Sequence, residues 1–373
     1  MNSGDPPGLY VHVPFCHTKC PYCDFYSVAS QSLIPSWLEA IQREISLYRD
    51  KFGGFDSLYL GGGTPSVLSV MQLRTLFRHI RKYFSFSQDA EITIEVNPDD
   101  INPPMMAELI ELGVNRFSVG IQSFNEKDLK FLKRRHSAAQ TRKALDCIRM
   151  EGIDNLSIDL MYGLPGQTID DWMENLESVL LYEPEHLSCY QLNLVEGTPF
   201  GDMKAEGRLV ALREAAECDF FLRTSHFLEQ HGYVHYEVSN YSKGPSFQSR
   251  HNLKYWHHVP YLGLGPSAHS FLGNTRWWNF RSIQQYLEFL EGGSAPIEGQ
   301  ESLSPEQLNL ESIFLGLRTT AGIDHDTLTM NPSLKAVLTG LEASRHIRIR
   351  NGKITPTRKG LLIADALPLL LTC

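Results

Sequence analysis

Residues 9–23 read LYVHVPFCHTKCPYC, a strand pattern running straight into three cysteines. The first five residues are mostly apolar and are bounded by Gly8 and Pro14, as suits a parallel strand buried on both faces. Cys16, Cys20 and Cys23 follow with the spacing C-x3-C-x2-C. In a parallel βα fold, the loop after a strand lies on the face where sites are built. Three thiolates this close can bind three irons of a [4Fe-4S] cubane and leave the fourth iron open to a chelating ligand. A fourth cysteine would close the cluster and favour plain electron transfer. Zinc is the other metal reading, with His12 and His17 as further ligands, although zinc sites usually join C-x2-C to a second ligand pair farther on. A chance grouping of inert thiols is the third.

Beyond this stretch, short β-rich segments alternate with helical patterns as far as about residue 230. Strands are expected at 9–13, 57–60, 91–96, 116–121, 156–160 and 186–192. Between them, Ser36 with Glu39 and Ser69 with Gln72 are spaced as capping boxes, Pro103 opens a helix that Gly113 ends, and another spans 138–150. Thr168 caps a fifth helix, and a sixth runs from about 209 to 230. Six strand–helix units in order imply an α/β fold, a partial (βα)6 TIM-like barrel with right-handed crossovers and an open side. Residues 231–295 form a connecting region rich in His and aromatics. Residues 296–373 read as helix, helix and β-hairpin, an α+β module of winged-helix type. The domains expected are therefore 1–230, 231–295 and 296–373.

The 373 residues include 34 Lys and Arg against 43 Asp and Glu, a net charge of −9. Such a chain is a poor partner for nucleic acid or an anionic membrane as a whole. No stretch approaches the ~18–20 apolar residues that span a bilayer. The opening residues lack the basic and apolar regions of a secretory signal, so a cytoplasmic location is expected. Of the seven cysteines, those at 147, 189, 218 and 373 are scattered and read as buried free thiols rather than disulfide partners.

Gly61-Gly62-Gly63-Thr64-Pro65 follows the second strand, where glycines let the backbone approach a ligand closely. Glu95, Gln122 and Asp159 fall near the ends of strands three, four and five, which converge at one mouth. Each alone could cap a helix; together they read as one site. Arg134 lies in KFLKRRH, whose bland reading is a solvated basic helix end.

With Tyr22 before the last cysteine, the run resembles the signature of the radical SAM proteins. Within them, YVHVPFCHTKCPYCDF, LYLGGGTPS, EVNP, GVNRFSVGIQSF and IDLMYGLPGQ resemble the coproporphyrinogen III oxidase-like branch over roughly residues 9–280. The resemblance implies that S-adenosylmethionine (SAM) chelates the open iron. Tyr10, Gly62, Gly63, Thr64, Glu95, Gln122, Arg134 and Asp159 would contact SAM, with Tyr22 beside the cluster. Arg134 is preferred to Lys133 and Arg135 on the resemblance alone. In a radical enzyme of this kind the reduced cluster cleaves SAM to methionine and a 5′-deoxyadenosyl radical.

Two functions compete within the branch. The oxidases carry another cysteine two residues after the third, where this chain has Phe25, and a longer N-terminal extension; both departures count against porphyrinogen oxidation. The haem chaperones of HemW type keep three cysteines and an H-N-x-x-Y-W motif, here His251-Asn252-Leu253-Lys254-Tyr255-Trp256. The resemblance implies haem binding with His251 as axial ligand, and delivery to an acceptor protein. A neutral imidazole suits haem iron. The bland reading of His251 is a hydrogen-bonded core residue, and His257, His258 and His269 are alternative ligands. A homodimer is left open. GLGPSAHS, at 263–270, is a glycine loop without assigned chemistry.

Overall fold

The computed structural model describes residues 4–330 and 332–372. Cys373 lies outside them. Six parallel strands form the centre: β1 (Gly8–Val13), β2 (Phe55–Gly62), β3 (Phe86–Val96), β4 (Arg116–Gln122), β5 (Leu156–Tyr162) and β6 (His186–Gln191). The helices α1 (Ile34–Leu47), α2 (Val70–Tyr83), α3 (Pro103–Glu111), α4 (Glu126–Phe131), α5 (Ala138–Met150) and α6 (Ile169–Leu180) fill the crossovers. Ser69, Ser137 and Thr168 each close a capping box on α2, α5 and α6. Such reciprocal bonds satisfy two orphan N–H groups per helix start, and so fix where α2 and α6 begin, as the sequence implied.

Two expectations differ. Ser36 does not cap α1, which begins at Ile34; Pro35 in its first turn needs no N–H partner and pre-sets the helical φ. The sixth helix begins at Glu214 rather than near 209 (α8, Glu214–Gln230), and a short helix that was not expected, α7 (Pro199–Ala205), precedes it. Gly207, at φ 70°, breaks the chain between them, and Leu209 instead packs into an apolar cluster with Leu132, Leu192 and Phe200.

Of the later strands, β8 (Asn240–Ser242) adds antiparallel to β6 and β7 (Val234–His235) adds antiparallel to β8. Helix α9 (Arg250–Trp256) comes next. Then β9 (Tyr261–Leu264) pairs parallel with β1, and β10 (His269–Leu272), β11 (Thr275–Asn279) and β12 (Ile297–Ser302) continue antiparallel beyond it, with α10 (Ile283–Glu291) in between. The sheet thus has twelve strands in the order β12-β11-β10-β9-β1-β2-β3-β4-β5-β6-β8-β7, with two free edges, a partial barrel. Its core is one cluster reaching from Leu9 to Leu290.

A second apolar cluster belongs to the C-terminal segment: α11 (Pro305–Gly316), β13 (Ile323–Asp324), α12 (Pro332–Ala343), β14 (Ile347–Arg350), β15 (Lys353–Pro356), α13 (Arg358–Leu362) and α14 (Leu367–Thr372). The strands form a separate sheet ordered β13-β15-β14. No helix among the described residues is long and apolar enough to cross a membrane.

Candidate functional site

The cysteine loop is tied down at both ends. Cys16 N–H donates to the Val28 carbonyl (3.1 Å), and Val28 N–H donates to that of Pro14 (2.8 Å). Beside it runs the glycine loop: Gly63 N–H donates to the Val13 carbonyl (2.8 Å) and Thr64 N–H to that of Phe15 (2.7 Å). A side chain at Gly63 would place its Cβ 2.6 Å from the Phe15 carbonyl oxygen, so only glycine permits this approach. Thr64 Oγ1 lies 3.5 Å from Cys16 Sγ. The two loops are one structure.

Arg134 closes the opposite side. Its Nη1 lies 3.4 Å from Cys20 Sγ and 3.5 Å from the Tyr22 hydroxyl; its Nη2 donates to the Gly120 carbonyl (2.7 Å) and to Asn97 Oδ1. The Nε is buried without a partner. A buried guanidinium N–H with nothing to donate to suits an anionic ligand, such as a carboxylate at the cluster.

Two strands supply acids, Glu95 next to the end of β3 and Asp159 midway along β5, which runs past the expected 156–160 to Tyr162. Glu95 accepts from the Tyr59 hydroxyl (2.8 Å) and from Gly62 N–H (3.2 Å). Asp159 accepts from Ser118 Oγ at 3.2 Å. Burial drives both acid constants up, Glu95 to about 7 and Asp159 to about 6, since a low-dielectric interior disfavours the ionised form. Both line one polar cavity with Tyr59, Arg116 and Tyr190. Gln122, at the end of β4, holds φ 72°, rare for a side-chain-bearing residue and common where a site constrains the backbone. Tyr10 is on β1 with its hydroxyl 3.1 Å from His12 Nδ1.

These positions fit a three-thiolate cubane with SAM. Among the described residues, no three His, Cys, Asp or Glu side chains are grouped to hold a single metal ion. The zinc candidates are engaged elsewhere: His12 Nε2 bonds the Tyr26 carbonyl (2.8 Å), and His17 bonds Gln31 and faces Asp100. Three thiols that each meet a different iron need no common point. Tyr59 and Asn97, which hold Glu95 and Arg134, are supporting residues that sequence reasoning did not single out. The alternation of L-Y-L in β2, which turns Tyr59 inward, was the available signal.

His251 is placed differently from the rest. It sits on α9 near the starts of β1, β2 and β3, its ring 6.2 Å from that of Tyr10 and 5.2 Å from that of Tyr59, and Ser249 and Asn252 at the start of α9 line the same polar cavity as Glu95 and Asp159. His251 is 1% exposed. Nδ1 bonds Ser57 Oγ (3.0 Å) and Nε2 bonds the Tyr255 hydroxyl (2.9 Å). Burial lowers its acid constant to about 3. Glu91 accepts the first N–H groups of α9, from Arg250 and His251 (3.0 Å each), and Lys254 pairs with Asp56 (2.6 Å). The helix plugs the barrel floor, and the seated ring offers no nitrogen to iron. His257, at the end of the helix, is exposed, while His258 stacks on Phe271. His269 stacks on Trp278. In the 263–270 loop, Gly265 (φ 96°) donates to buried Glu44 and packs against the His12 carbonyl, bracing β1 beneath the cysteines.

Residues 10–179 match the radical SAM superfamily, and residues 303–363 match the HemN C-terminal domain. The chain is 37% identical over 336 residues to a heme chaperone HemW of Synechocystis, covering 87% of this chain and 81% of that one. It is 33% identical over 371 residues to heme chaperone HemW of Mycobacterium tuberculosis, covering 97% and 94%. The fold is similar to that of coproporphyrinogen III oxidase (HemN) from Escherichia coli, a radical SAM enzyme, with TM-score 0.84 and 24% identity over 98% of this chain and 90% of that one.

Proposed function

Since the chain belongs to the radical SAM superfamily, in the family of the haem chaperones HemW, we propose that it binds haem and hands it to an acceptor protein from a scaffold holding a [4Fe-4S] cluster and SAM. The observation that carries the reading is the relationship to HemW over nearly the whole chain, joined to Phe25 where the oxidases have a further cysteine. Cys16, Cys20 and Cys23 would ligate the cluster. Gly62, Gly63, Thr64, Glu95, Gln122, Arg134 and Asp159 would hold SAM, with Tyr10 and Tyr22 as flanking aromatics. When bound, the cluster supplies a one-electron donor beside the SAM sulfonium. The protein's own part is to orient SAM through Arg134, Glu95 and Asp159, and to exclude water through packing.

Haem is cargo rather than resident cofactor. His251 remains the proposed iron ligand, on one condition set by geometry: α9 must leave its seat before either ring nitrogen is free. Haem uptake is then coupled to opening of the barrel floor. The reading is tested by loading the reconstituted chain with haem, adding a haem-free b-type acceptor, and following the Soret band. Transfer supports it. Retention of haem, or consumption of coproporphyrinogen by the same preparation, overturns it.

A further inference from the structure

We propose that the β14–β15 hairpin is the docking surface for an acidic protein, which extends the haem-delivery reading by giving the acceptor a surface chemistry. Residues 345–359, RHIRIRNGKITPTRK, hold six Lys and Arg and no acid. The rest of the chain then carries 28 Lys and Arg against 43 Asp and Glu, a net −15. Fold geometry concentrates the cations. Ile347, Ile349 and Ile354 turn into the C-terminal core, so Arg348, Arg350 and Lys353 share the solvent face.

The register sharpens the point. Arg350 stands directly opposite Lys353 across the Asn351-Gly352 turn. Like charges directly opposite one another destabilise a ladder, and an anionic partner would relieve this pair. Lys353 is paired on its other side with Asp324 of β13 (3.9 Å), and among the described residues Arg345, Arg348, Arg350 and Lys359 form no ion pair.

The remainder of the chain selects the class of partner. A long nucleic acid or an anionic membrane plane would also lie against the acidic surface and be repelled by it. A folded protein with a compact acidic face can meet the hairpin alone, and a standard interface of about 800 Å² per partner is of that scale. The C-terminal segment that carries the hairpin also borders the helix proposed to carry haem: Arg318, just after α11, packs over the Trp256 ring at 5.2 Å. Docking there would bring an acceptor to the end of α9.

Two designed four-helix bundles with the same empty haem site, one acidic and one basic on the surface, provide the test. Binding of each to the full haem-free chain is measured at low and physiological salt, so the result does not depend on haem loading. The acidic bundle should bind at least about tenfold more tightly than the basic one, and the preference should shrink with salt. Reversing three charges together (Arg348→Glu, Arg350→Glu, Lys353→Glu) should abolish it, and the corresponding Gln variant should fall between. Reversing exposed Arg78 and Lys82 on α2 should leave it in place. Equal binding of the two bundles overturns the proposal, as does tighter binding to duplex DNA or to phosphatidylserine vesicles. Should haem titration fail while the acidic bundle binds, the docking surface stands and the haem reading falls.

Discussion

Ser57 Oγ on β2 lies 3.0 Å from His251 Nδ1 on α9, a bond between residues 194 apart in the chain that pins the expected haem ligand to the barrel floor. Haem cannot reach that ring until the helix moves. The rate of haem association should therefore level off as haem concentration rises, because helix release becomes limiting. Ser57→Ala should raise the plateau by removing one tether. A rate that climbs linearly, insensitive to Ser57→Ala but lost in His257→Ala, would transfer the ligand to the exposed end of α9.

The same burial has a cost in stability. His251→Ala removes a packed ring and leaves Ser57 and Tyr255 without their partner, so it should destabilise the chain by about 2–4 kcal/mol. Chemical denaturation of the haem-free protein reads this directly. A change below about 0.5 kcal/mol would show that α9 is not seated as described.

Arg134 lets cluster assembly be separated from the SAM binding proposed for it. Arg134→Ala should retain the iron, since the three thiolates remain, yet weaken SAM binding by about 10–100-fold through loss of a charged donor. Equilibrium binding on the reconstituted protein checks it. Unchanged affinity would exclude the orphaned Nε as a contact.

Glu95 and Asp159 make an opposite pair of pH effects. Their acid constants are raised on folding, to about 7 and about 6, so the folded chain keeps protons that the unfolded chain releases. That contribution to stability is full below the unfolded values and is lost as pH rises through about 6–7. The ligand-free denaturation midpoint should fall between about pH 5 and pH 8, and Glu95→Gln should flatten the slope. SAM is cationic at its sulfonium and ammonium, so its affinity should rise over the same range. Affinity independent of pH would remove these acids from the site.

Much of this was legible in the sequence because it is local. The spacing of Cys16, Cys20 and Cys23, the glycines at 62 and 63, and the caps Ser69 and Thr168 act within a few residues of themselves. Glu95 and Asp159 were legible because they fall near the ends of the expected strands 91–96 and 156–160, although β5 runs on to Tyr162 and leaves Asp159 midway along it. Arg134 needed the resemblance, since Lys133 and Arg135 have the same local character; the structure shows Arg134 turned in to Cys20 and Arg135 turned out to Asp99. What could not be read is non-local. A seven-residue helix plugging a barrel floor depends on Ser57 and Glu91, far upstream. The extension of the sheet by β9–β12 likewise depends on pairing with β1, which periodicity does not reveal.

Cys20 supplies the simplest lesion in the cluster. Cys20→Ala should lower iron and sulfide from about four each per chain and bleach the visible absorbance after anaerobic reconstitution. The Cys147→Ala control, remote from the loop, should retain both. A variant that keeps the full complement would remove Cys20 as a ligand.

The most direct test of the account is a haem titration of the reconstituted chain followed at the Soret band. Saturable binding at one haem per chain is the predicted result. A Soret signal that rises without saturation, as haem alone gives, would contradict the assignment of this chain as a haem carrier.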